Sequence, residues 1–140
     1  MDLKNESLGI LFNDYYQFTM SYSYWKNNNH DYKGVFEIYF RKNPFDRQFT
    51  VFAGIGRFIS ILENFSISDS DIAAVQMLLG PKIDQKYLEY LKNLDLSQVE
   101  VVGFEEGAIV FPNEPLIQIS GPIGSNSTFY QQSISLKPSC

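Results

Sequence analysis

Apolar positions change their period three times along the chain. From Leu11 to Trp25 they fall at helical spacing in two series: Tyr15, Phe18, Tyr22 and Trp25 at i, i+3, i+7 and i+10, and Tyr16, Met20 and Tyr24 at i, i+4 and i+8. A small domain needs only one apolar side of such a helix for its own core. Either this helix is buried all round, or its second stripe meets a ligand, another domain or another chain, and spacing leaves both readings open. From Gly34 to Arg41 the period becomes two: Phe36, Ile38 and Phe40 alternate with Val35, Glu37 and Tyr39, as in a strand of a sheet with one greasy face. Pro44 ends it, because proline cannot donate to an interior ladder. Phe49 to Phe52 is expected to return as a short strand, making a hairpin whose tip carries Arg41, Lys42 and Arg47. These cations are candidates for holding phosphate, or scattered charges on a solvated turn.

Three helices are expected next. Ile55, Phe58, Ile59, Leu62 and Phe65 stand at helical spacing after Gly54. Ser68 to Asp71 supplies a cap and early acidic residues for a helix with Ile72, Val75 and Leu79, stopped by Gly80-Pro81. Asp84 can cap a third, through Tyr87, Leu88 and Leu91 to about Asn93. No polar constellation recurs on one face, so these read as scaffold. From Val99 the strand period returns in three short runs joined by tight turns, which suggests a meander. Glu105 and Glu106 are adjacent carboxylates, but neighbours on an extended segment point to opposite faces, so they read as turn residues rather than an acid–base pair. Beyond Pro122 the chain turns to Ser, Gln and Gly, and residues 123–140 are expected to be a disordered tail.

Composition narrows the class. With 140 residues, 44% hydrophobic and 16% aromatic, the chain can bury a core as one domain. A net charge of −5, with no cationic stripe, argues against nucleic acid and anionic membrane as partners. No apolar run approaches the roughly 20 residues that span a bilayer, and the acidic start is unlike a secretory signal. A cytosolic protein is the expectation. Cys140 is the only cysteine, which leaves no internal disulfide and no cysteine metal site. His30, alone in an Asn-rich stretch, reads as a surface residue of a polar loop, since metal sites need convergent partners.

The run Asn13-Asp14-Tyr15-Tyr16-Gln17-Phe18-Thr19-Met20 resembles the amino-terminal motif of the nicotinate phosphoribosyltransferase family. The likeness continues through Tyr24-Trp25-Lys26, Phe40-Arg41-Lys42-Asn43-Pro44-Phe45, Phe52-Ala53-Gly54, Glu63-Asn64-Phe65, Tyr90 to Asp95, Glu106 to Pro112 and Pro115-Leu116, in the family's order and at about its spacing. It covers residues 8–122. It implies an α+β fold, the amino-terminal domain of a type II phosphoribosyltransferase: short helices with a small, mostly antiparallel sheet. The related quinolinate and nicotinamide enzymes share the broad fold; the Asn-Asp-Tyr-Tyr-Gln and Arg-Lys-Asn-Pro-Phe runs favour the nicotinate branch.

The resemblance implies an enzyme of NAD salvage that joins nicotinate to phosphoribosyl pyrophosphate, with ATP and Mg used by the full-length protein. It implies homodimers in which the amino-terminal domain of one subunit completes the site of the other. Tyr16 matches the tyrosine that stacks on the pyridine ring. Asp14 matches the motif's aspartate near the same ring, and equally suits an N-cap. Arg41 matches an arginine that reaches phosphate of the neighbouring subunit's ligand. Asp46-Arg47 stands where the family commonly has two glycines, a departure that bears on the turn after Arg41. The family's catalytic histidine and barrel have no match here, and no residue is assigned to bond-making or to metal. The chain is therefore expected to be an amino-terminal portion, inactive alone. The alternative is a non-catalytic interaction protein that pairs with the full-length enzyme.

Overall fold

The computed structural model describes residues 10–126. A single 3-10 turn, Ile10–Phe12, leads into α1 (Tyr15–Lys26) and β1 (Lys33–Ile38). A second such turn, Pro44–Asp46, precedes β2 (Thr50–Val51), and three helices follow: α2 (Ile55–Glu63), α3 (Asp69–Leu79) and α4 (Gln85–Lys92). β3 (Glu100–Gly103), β4 (Ile109–Val110) and β5 (Ile117–Pro122) follow, and residues 123–126 after them are helical. This is the expected α+β domain with small antiparallel sheets.

Two separate apolar clusters hold it together. The helical cluster joins Ile10 and Phe18 to Val75, Ile83, Tyr87, Leu88 and Leu91. Tyr22 and Trp25 complete it from α1, their rings 5.0 and 5.6 Å from that of Tyr87. The Tyr87 hydroxyl donates to the Phe18 carbonyl at 3.3 Å, and burial pushes its phenol well above the ordinary value. The second cluster, Ile38, Phe52, Phe58, Val110, Ile117 and Ile119, lies between α2 and the strands. Helix starts follow the local chemistry. Ser68 and Asp71 cap each other's backbone N–H at α3, and the Asp84 carboxylate accepts from Lys86 N–H at α4.

Strand partners differ from the expected ones. β5 is central, antiparallel to β1 on one side and β3 on the other, while β4 leaves to pair with β2. There is neither a β1–β2 hairpin nor a meander. Alternation identifies a strand and its buried face, but the partner is chosen by which edges the two clusters bring together. The β2–β4 ladder extends through Phe52 N–H to the Ala108 carbonyl and Gly107 N–H to the Phe52 carbonyl, both at 2.8 Å.

Expectations also fail at two smaller places. His30 is not a free surface residue: its side chain is only 20% exposed, and its ring stands edge-on to Tyr90 at 5.0 Å. Nor are residues 123–126 disordered. Ile123 and Gly124 N–H groups bond the Tyr32 and His30 carbonyls, Ser125 Oγ donates to the Asp95 carbonyl, and Asn126 Nδ2 donates to the Gly34 and Gly121 carbonyls. A side chain on Gly124 would collide with Tyr90 Oη. The remainder of the expected tail, residues 127–140, lies outside the described residues.

Candidate functional site

The opening helix resolves the choice its spacing left open. Gln17, Phe18 and Ser21 are buried, and Tyr22 and Trp25 pack on the helical cluster, but Tyr15 and Tyr16 stand at 57% and 50% exposure on the first turn. Each stripe is therefore bare at its first residue, Tyr15 in one and Tyr16 in the other. Asp14 is at the N-cap in extended conformation, and the buried Gln17 side chain reaches back to accept its N–H at 3.0 Å. The Asp14 carboxylate stands over the helix start in capping-box fashion without completing a cap hydrogen bond of normal geometry. It is exposed and lies at the positive end of the helix dipole, a place that suits an acidic side chain. Of the two roles considered for Asp14, the structure shows the N-cap position.

Gln17 is not among the residues that sequence chemistry singles out, yet it fixes this turn. The signal is present: an aspartate followed three residues later by glutamine is the local mark of a capping box. The Thr19 hydroxyl, bonded to the Tyr16 carbonyl at 2.8 Å, tightens the same turn. Together these fix the start of α1, where the Asp14 carboxylate and the Tyr16 ring are both exposed.

Arg41 follows β1. The strand's end is clamped, Leu116 N–H to the Ile38 carbonyl at 2.7 Å and Asn113 N–H to the Phe40 carbonyl at 2.8 Å. Arg41 itself is exposed and makes no ion pair or hydrogen bond among the described residues, whereas its neighbour Lys42 pairs with Asp46 at 3.3 Å. The turn beyond it bears on the departure at Asp46-Arg47. Asp46 lies at φ 50 and Phe45 at φ 58, in the left-handed region, while Arg47 lies at φ −78. Of the two residues that replace glycines, only Asp46 occupies a conformation glycine would hold without strain. Asn43 Oδ1 accepts from Thr50 Oγ1 at 2.8 Å and closes this loop. The structure joins Asp14 and Tyr16 on one helix turn; Arg41 stands on a separate loop, with no bond to either.

Glu106 has a role that its place in a turn does not reveal. Its carboxylate accepts from Gly54 N–H at 2.9 Å and Gly56 N–H at 3.3 Å, capping α2 from more than fifty residues away. No local spacing could have shown it. Among the described residues no group of three or more His, Cys, Asp or Glu is placed to hold a metal ion, and no helix is long and apolar enough to cross a membrane.

An α+β domain of short helices with small antiparallel sheets is of the kind found at the amino terminus of nicotinate phosphoribosyltransferases. The model for the nicotinate phosphoribosyltransferase amino-terminal domain matches residues 11–130, and the chain belongs to that family. Nicotinate phosphoribosyltransferase 2 of Arabidopsis thaliana is 47% identical over 120 residues, 86% of this chain and 21% of that protein. The Homo sapiens enzyme is 36% identical over 113 residues, 81% of this chain and 21% of the human protein. The crystal structure of human nicotinic acid phosphoribosyltransferase superposes with a TM-score of 0.81 at 33% identity, over 89% of this chain and 25% of that one. The chain thus spans about a fifth of the length of the curated relatives it matches.

Proposed function

We propose that this chain is the substrate-facing amino-terminal domain of a cytosolic nicotinate phosphoribosyltransferase of NAD salvage, the enzyme that converts nicotinate and phosphoribosyl pyrophosphate to nicotinate mononucleotide and pyrophosphate with ATP hydrolysis. The observation that supports the reading is the match to the family over residues 11–130, within which Asp14 and the Tyr16 ring are both exposed at the start of α1. Tyr16 stacks on the pyridine ring, a contact worth about 0.5–1.5 kcal/mol beyond area burial. Asp14 lies near the same ring. Arg41, whose planar fork has no partner among the described residues, grips phosphate of the ligand in a neighbouring subunit, so that a homodimer completes each site.

Those three residues orient substrate and do not break or make its bonds. Orientation accelerates a reaction only when the reacting groups are present. ATP, Mg and the bond-making groups belong to the part of the family's length that this chain does not span, and no residue here is assigned to them. The chain on its own is therefore inactive. Incubating the purified 140-residue protein with nicotinate, phosphoribosyl pyrophosphate and ATP should yield no nicotinate mononucleotide; steady product formation would overturn this.

The exposed aromatics at the start of α1, Tyr15 and Tyr16, also favour a second reading, in which the chain pairs with a full-length subunit without catalysing anything. Mixing the two and measuring size separates the readings, because a chain without this role leaves the full-length homodimer unchanged.

A further inference from the structure

α3 packs by one side only. Ile72, Val75 and Leu79 meet the helical cluster, while the outer line Ser70, Ala73 and Met77, at i, i+3 and i+7, is exposed. Met77 stands at 86%, the highest exposure of a large apolar side chain among the described residues. A helical side chain leans over the turn before it, which here presents Ala73 and Ala74, too short to cover a thioether. This exposure is not that of a loose end. Ser68 and Asp71 cap the helix start, Lys92 pairs with Asp69, and beyond Met77 the Gly80 N–H still bonds the Gln76 carbonyl at 2.9 Å.

Oxidation of methionine follows the access of the oxidant to sulfur. Met20 is half-buried on α1, and Met1 lies outside the described residues. A sulfoxide is polar, so forming one in a packed core leaves an oxygen short of partners and disrupts the packing. On the outer line of α3 water solvates that oxygen, and the buried side of the helix is untouched.

We infer that Met77 is a site of reversible oxidation by hydroperoxides, at which the chain consumes oxidant without unfolding. The thioether sulfur attacks a peroxide oxygen: an S–O bond forms as the O–O bond breaks, and the sulfur gives up two electrons. The departing oxygen takes the proton of the attacked one and leaves as water or alcohol. A dithiol-dependent sulfoxide reductase reverses the change, releasing the oxygen as water while two thiols become a disulfide. Neither step involves the residues assigned to substrate, so the inference stands or falls apart from that reading.

The folded 140-residue chain is treated with dilute hydrogen peroxide and mapped by mass after trypsin, which places Met20 and Met77 in separate peptides, 5–26 and 58–82. Peptide 58–82 should gain one oxygen several-fold faster than peptide 5–26, and in urea the two should react alike. The oxidised chain should keep its circular dichroism spectrum and urea midpoint, and methionine sulfoxide reductases with dithiothreitol should return it to its starting mass. Met77→Leu should abolish the fast uptake and leave the fold unchanged. Equal rates in the folded chain overturn the inference. So does a rate ratio that persists in urea, which would trace the reactivity to local sequence rather than exposure, a lower urea midpoint after oxidation, or a sulfoxide that the reductases do not remove.

Discussion

Replacing Asn126 by alanine tests whether the residues after β5 belong to the folded domain. Asn126 is fully buried, and its side-chain amide donates to the Gly34 carbonyl at 3.0 Å and the Gly121 carbonyl at 3.2 Å, tying the start of β1 to the end of β5. Each neutral hydrogen bond contributes about 1 kcal/mol net, and each carbonyl left short of a donor adds to the loss. Against this, the amide oxygen Oδ1 is buried without a partner among the described residues, and its removal returns about 1 kcal/mol. The balance is a destabilisation of about 1.5–3 kcal/mol, or roughly 5–15 °C in Tm for a domain of this size. Asn126→Asp should cost more, because it removes the donor and also buries a carboxylate. Urea unfolding followed by tryptophan fluorescence, with Trp25 as the probe, measures both variants. If alanine changes stability by less than about 0.5 kcal/mol, residues 123–126 lie outside the cooperative unit and the tie between β1 and β5 contributes nothing to it.

Three further outcomes follow from the geometry. In a full-length form carrying these residues, Tyr16→Ala should raise the nicotinate KM about two- to twelvefold, the stacking range converted to a ratio, while Tyr16→Phe keeps it; equal effects of the two would refute stacking. Glu106→Ala should cost about 0.5–2 kcal/mol, the value of a helix cap partly open to solvent, and Glu106→Gln less; no shift in the urea midpoint of either would show that the contact with Gly54 and Gly56 carries no stability. Burial, with Asp31 nearby, pushes the Tyr90 phenol up to about 12 from its ordinary 10.0. A raised value means that the folded state holds the proton more tightly, so this contribution is complete below pH 10 and is lost as the pH climbs from 10 toward 12. Absorbance at the tyrosinate band should show late ionisation together with unfolding; nine tyrosines titrating near pH 10 in an intact fold would refute it.

Local chemistry was legible in the chain itself. The periods of apolar residues marked the helices and the strand faces. Ser68 and Asp84 marked two helix starts, and the ordered run of family motifs from Asn13 to Leu116 identified the domain. Such features depend on residues a few positions apart, so the sequence by itself determines them.

What needed the tertiary structure were choices among equivalent local answers. The same alternation suits any antiparallel partner, and only the packing of two apolar clusters sends β2 to β4 and sets β5 between β1 and β3. An aromatic stripe reads alike whether covered or bare, and the helical cluster decides that Tyr22 and Trp25 are covered while Tyr15 and Tyr16 are not. Glu106 at the start of α2, His30 against Tyr90 and Asn126 across two strands are contacts between distant parts of the chain. No spacing along the sequence encodes them, because the free energy that selects them arises only when the elements are packed together.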